Sequence, residues 1–201
     1  MPLKLLSGIV RWSALLCVPG GVLWALTPLG ISLSEYRFST PAVFWKLFPA
    51  APLLLLFGLI GLRFWRPRRT GWPGGVGFAL AAAGLLLIVV GDVGKFWLDV
   101  DDTYLTLAPA YRAMRIGFLL FALGSIVFGA AALRARTLPG WGVAPFTIFS
   151  VGGLVAVTAD FGTIGATLWV LFGAGWAWLG FSLLVEGVSA AWRGRRKPRA
   201  G

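Results

Sequence analysis

The chain has 201 residues, of which 58% are hydrophobic and 12% charged, with a formal net charge of +11 and no histidine. A water-soluble domain carries about 25% charged residues, so this composition excludes a soluble globular fold and indicates an all-α integral membrane protein. A basic excess in a soluble protein would point to nucleic acid; here the basic residues fall where membrane topology requires them, and no nucleic-acid partner is expected.

Six apolar stretches of about the length needed to cross a bilayer are expected near 7–29, 41–62, 75–97, 115–133, 143–160 and 164–187. Together they make one transmembrane domain over 1–201, with short loops and a basic tail at 188–201. The first stretch is preceded by Lys4 and interrupted by Arg11, and the large Leu16 before Cys17 disfavours cleavage, so an uncleaved span is expected. Pro19-Gly20-Gly21 near its middle predicts a kink or a break, since proline removes a backbone hydrogen bond. A packing kink is the plainer reading; a broken helix that exposes backbone to a substrate is the alternative.

Thr40-Pro41 marks the start of the second span, and Pro49 and Pro52 disturb its outer half. The third span opens at Pro73-Gly74-Gly75 and runs through an apolar centre, Leu80 to Val90. Spans five and six are separated by only a few residues and must form a tight hairpin. Trp176 and Trp178 lie inside span six and are expected to be packed or to line something.

Charge sets the expected orientation. Lys4, the second connection (Arg63, Arg66, Arg68, Arg69), the fourth (Arg134, Arg136) and the tail (Arg193, Arg195, Arg196, Lys197, Arg199) are basic. The opposite side holds Glu35, Asp92, Asp99, Asp101, Asp102 and Asp160, six of the seven acids. Positive residues stay on the cytoplasmic face, so both termini are expected there. The loop arginines Arg63, Arg66, Arg68, Arg69, Arg134 and Arg136 then meet the anionic headgroups of that leaflet. Fourteen Arg against four Lys suggests a bacterial source and a bacterial cytoplasmic membrane.

The spans also repeat. Leu120-Phe121, Gly124, Gly129 and Leu133 match Leu171-Phe172, Gly175, Gly180 and Leu184 at a constant offset of 51. Gly91-Asp92-Val93-Gly94 closes span three as Ala159-Asp160-Phe161-Gly162 closes span five. The unit reads as a two-helix hairpin in tandem. Gly117 and Gly124, like Gly173 and Gly180, lie seven apart and fall on one helix face, where small residues let helices approach in lipid.

Little chemistry is encoded. Without histidine there is no haem ligand of the usual kind and no common general base. The single cysteine excludes both an intramolecular disulfide and a CxxC redox pair. No P-loop, G-x-G-x-x-G or H-E-x-x-H run occurs. Asp99-Val100-Asp101-Asp102-Thr103 begins like a calcium loop but has Tyr104 where glycine is needed. No metal or cofactor is therefore expected. Asp92 and Asp160 are the candidate coupling or ligand residues, because an acid inside a membrane segment is expensive and usually functional; helix capping in the headgroup zone is the plainer alternative.

These observations predict a non-enzymatic multi-pass protein that packs with itself or with other membrane subunits. A small proton- or cation-coupled secondary transporter using Asp92 and Asp160 is the alternative, and a lipid-modifying enzyme a lesser one.

Overall fold

The structure, a computed structural model, describes residues 3–36, 42–65, 71–98, 109–136, 138–158 and 163–195, with side chains for 12–32, 43–63, 71–98, 109–136, 138–158 and 163–186. Among them the only regular structure is helical: α1 (Leu3–Tyr36), α2 (Ala42–Leu47), α3 (Ala50–Trp65), α4 (Gly71–Phe96), α5 (Pro109–Arg134), α6 (Gly140–Thr158) and α7 (Thr163–Arg195). Six segments are long and apolar enough to cross a membrane: Trp12–Ser32, Val43–Arg63, Gly71–Phe96, Pro109–Arg134, Gly140–Thr158 and Thr163–Glu186. The chain is a multi-pass membrane protein. Helices α4 and α5 start earlier than their apolar runs suggest, because Pro73 and Pro109 suit a first helical turn, where no N–H donor is needed.

Prolines explain where helices continue and where they stop. The break that Pro19-Gly20-Gly21 could have made is absent, for α1 is helical throughout. Neighbouring helices close on that turn: Gly20 lies against Leu54 and Leu55, and Gly21 against Gly173 and Ala177 of α7. The break falls in the second span, between α2 and α3, at Phe48-Pro49. Pro49 and Pro52 cannot donate to the carbonyls of Trp45 and Phe48. Phe48 N–H and Ala51 N–H take those carbonyls at 3.2 and 2.9 Å, a tighter turn that ends the α-helical ladder. The Lys46 carbonyl at the same break accepts the indole N–H of Trp97, just past the end of α4, at 3.2 Å. In α6, Pro145 frees the carbonyl of Trp141, and the Trp178 indole of α7 donates to it at 3.1 Å. Trp178 thus supplies the donor that Pro145 removes, as a bilayer without water demands.

Each spanning helix packs on the next in chain order, and α7 returns to α1, so the bundle closes into a ring. Glycine sets the closest approaches. A Cβ at Gly117 of α5 would stand 2.7 Å from the Gly84 carbonyl of α4, and one at Gly173 of α7 2.7 Å from the Gly21 carbonyl of α1. The equal spacing of Gly117 and Gly124 does put both against α4. Gly173 and Gly180 both face α1. Cys17 is free and buried, in contact range of Gly58 and Gly180, and acts as a small packing residue.

Outside the ring the surface is apolar. Val90, Ile148 and Ile164 are 64%, 66% and 76% exposed, a pattern suited to acyl chains or to another apolar surface within the bilayer.

Candidate functional site

The centre of the ring is filled by aromatic side chains. Trp24 of α1 is buried and touches five rings: Phe48 at 5.1 Å, Phe121 at 5.2 Å, Phe172 at 5.6 Å, and Phe118 and Trp169 at 5.7 Å. Trp176 continues the stack, parallel to Phe121 at 5.4 Å and edge-on to Phe146 at 4.8 Å. These rings come from α1, α5, α6, α7 and the α2–α3 turn. Large rigid rings with centroids 4.5–7 Å apart attract one another beyond their buried area.

Buried hydroxyls near this core do not converge. Ser125 donates to Phe121 O, Ser150 to Phe146 O and Ser182 to Leu179 O, each within its own helix at 2.7–2.8 Å. Thr27 does the same to Leu23 O at 2.9 Å. With their protons spent on the backbone, these hydroxyls have no hydrogen left to donate to a substrate. Trp176 is the exception among the core rings: its indole N–H is buried without an acceptor.

Among the described residues Asp92 is the one buried charged side chain. It is 0% exposed, and neither carboxylate oxygen accepts a hydrogen bond. Its place follows from the glycine beside it. A Cβ at Gly91 would lie 2.6 Å from both the Ala110 carbonyl and the Met114 amide, so α4 and α5 are pressed together at this level. One turn on, the Lys95 ammonium sits 4.8 Å from the Tyr111 ring and 5.3 Å from that of Phe96. Phe96 stacks on Trp45 of α2 at 4.9 Å with planes 9° apart. The carboxylate is therefore enclosed by protein at the end of α4, and does not cap a helix in water. What a single such acid can do is exchange a proton or attract a cation. Among the described residues no three His, Cys, Asp or Glu gather to hold a metal.

The other expected residues scatter. Arg63 is half-buried at the end of α3, its Nη1 without a partner and its Nη2 facing Gly75 of α4. Arg134 and Arg136 are exposed, and Arg136, two residues past α5, adopts the left-handed conformation (φ 48°). Asp160, Arg66, Arg68, Arg69 and the acidic run Asp99 to Asp102 lie outside the described residues. Trp24, Trp169 and Phe118, which organise the core, carry no signal in the sequence beyond being aromatic. Of the two tryptophans inside the sixth span, Trp176 is packed and Trp178 lines an apolar groove between α7 and α1.

Comparison with protein families, with curated proteins and with solved structures finds no match for this chain.

Proposed function

We propose that the protein is a non-enzymatic, membrane-embedded interaction or accessory subunit, acting by contact within the bilayer. The observation that carries this reading is the aromatic fill around Trp24, which occupies the place where a transporter or membrane enzyme needs a polar cavity. Buried hydroxyls bonded to their own helices support it further. The cytoplasmic position of both termini is supported by the arginine distribution, and residence in a bacterial cytoplasmic membrane by the preference for arginine over lysine. A homo-oligomer or a membrane complex is the corresponding partner.

Tandem hairpins are part of the same proposal. Gly84 faces Gly117, and their counterparts at offsets of 68 and 51, Gly152 and Leu168, also meet; Gly124 faces Ala81 just as Gly175 faces Phe149. Equivalent helix pairs meeting at equivalent residues is what duplication of a hairpin produces.

The test is water access. In a Cys17→Ala background, Ser125→Cys, Ser150→Cys and Ser182→Cys place near-isosteric thiols at buried positions. All three should stay unreactive toward small water-borne thiosulfonates applied from either side of a vesicle. Labelling of any one in the folded protein would reveal an aqueous path and remove the proposal's basis.

One observation favours a second reading. Asp92, enclosed and without hydrogen-bond partners, fits a residue that couples proton or cation movement in a small secondary transporter. Under that reading Asp92→Asn abolishes flux while the protein still folds.

A further inference from the structure

The ring has a lateral groove of about 480 Å³ between α1 and α7. Val18, Val22 and Leu26 form one wall, and Ala174, Trp178 and Phe181 the other. Nothing polar faces it, since the Trp178 indole N–H is turned to the Trp141 carbonyl. The two helices are antiparallel: Gly173 meets Gly21 and Ala25, while Gly180 meets Ala14, Cys17 and Val18. The start of α1 and the end of α7 therefore share one side of the membrane. Those ends carry Lys4 and Arg11 on α1, and Arg193 and Arg195 on α7, against a single acid, Glu186.

We propose that this groove holds an acyl chain of one anionic phospholipid, its phosphate at the shared basic end of α1 and α7. Length agrees with this occupant. From Leu26 down α1 to Arg11 is 15 residues, about 22 Å at 1.5 Å per residue. A chain whose tip reaches Leu26, past the middle of a core roughly 30 Å thick, brings its headgroup level with Arg11. The groove covers Val18 to Leu26 along α1, about 12 Å, so it takes the distal part of the chain, and the rest runs past the exposed Leu15 toward Arg11. The inference is independent of whether the protein acts by contact or by transport.

The experiment uses the full chain reconstituted in vesicles of equal phosphatidylglycerol and phosphatidylcholine, extracted in mild detergent and weighed by native mass spectrometry. One phosphatidylglycerol per chain is expected to remain. Val22→Trp, a change at a residue 44% exposed, fills the groove and should lower occupancy about tenfold. Ile148→Trp, on the lipid-facing side of α6, should not. The triple variant Arg11→Gln/Arg193→Gln/Arg195→Gln should lose the preference for phosphatidylglycerol. Four results would overturn the proposal: no retained lipid, equal retention of both lipids by the native chain, retention unaffected by Val22→Trp, or a chain dimer that Val22→Trp dissociates.

Discussion

Gly117→Ala separates close helix approach from every other source of stability. Glycine recurs every seven residues along α4 at Gly77, Gly84 and Gly91, and meets Ala110, Gly117 and Gly124 of α5. A Cβ added at Gly117 stands 2.7 Å from the Gly84 carbonyl oxygen, 2.7 Å from the Ile88 amide nitrogen and 2.9 Å from Ile88 Cγ1. Two of those atoms are backbone and cannot swing aside. Carbon contacts settle at about 3.5–4.0 Å, so α5 must back away by roughly 1 Å, which forfeits a quarter to a half of each dispersion contact along the seam. Overpacking of this kind costs about 1–3 kcal/mol. Alanine's better helix propensity returns at most about 1 kcal/mol, so the net effect is destabilising, and Gly117→Val should be worse. Gly140→Ala is the control, because nothing lies within 4 Å of its added Cβ and propensity alone should act. Reversible unfolding in mixed micelles with rising dodecyl sulfate measures both. If Gly117→Ala proved as stable as Gly140→Ala, the helices could not be held at the glycine-limited distance.

Three other outcomes are expected. Trp24→Ala removes the ring that touches five others and should cost about 3–5 kcal/mol in the same assay; a loss below 1 kcal/mol would contradict a packed aromatic centre. Trp178→Phe removes the donor to the carbonyl freed by Pro145 and should cost about 0.5–1.5 kcal/mol. In a Pro145→Ala background the helix supplies its own donor, so the same change should cost almost nothing, and an undiminished cost would show that the bond is not compensating the proline. For topology, in a Cys17→Ala background, cysteines at Thr70, Arg136 and Gly201 should be shielded from an impermeant thiol reagent in intact cells and those at Ser39 and Thr103 labelled; outer labelling at Thr70 would invert the orientation.

Much of the architecture is readable from residue spacing. Apolar runs locate the six spans, because a helix crossing lipid must be apolar on every face. Gly117 with Gly124, and Gly173 with Gly180, announce contact faces, since glycine's lack of a side chain is the property that close packing uses. The same uniformity hides the interior. Trp24 faces five rings and Ile148 faces lipid, yet both positions read simply as apolar. Periodicity separates core from surface in water, where the surface is polar; in a bilayer that contrast is lost. Proline is ambiguous for a different reason. Pro19 sits within a continuous helix whose neighbouring turn is clasped by α3 and α7, whereas Pro49 and Pro52 together stop one, and that difference depends on partners distant in the chain. Asp92 stands out in the sequence as an acid in an apolar run, but its enclosure depends on how tightly α4 and α5 close at Gly91.

Whether the closed aromatic bundle transmits anything across the membrane is decided most directly by proton flux. The purified chain is reconstituted in vesicles containing a pH-sensitive dye, a pH step is imposed with potassium and valinomycin clamping the potential, and the native chain is compared with Asp92→Asn and with protein-free vesicles. The expected result is the same slow leak in all three, because aromatic rings fill the centre of the bundle around Trp24 and Asp92 is enclosed. A faster flux in the native chain that Asp92→Asn abolishes would contradict an interaction role and show that Asp92 carries protons across the membrane.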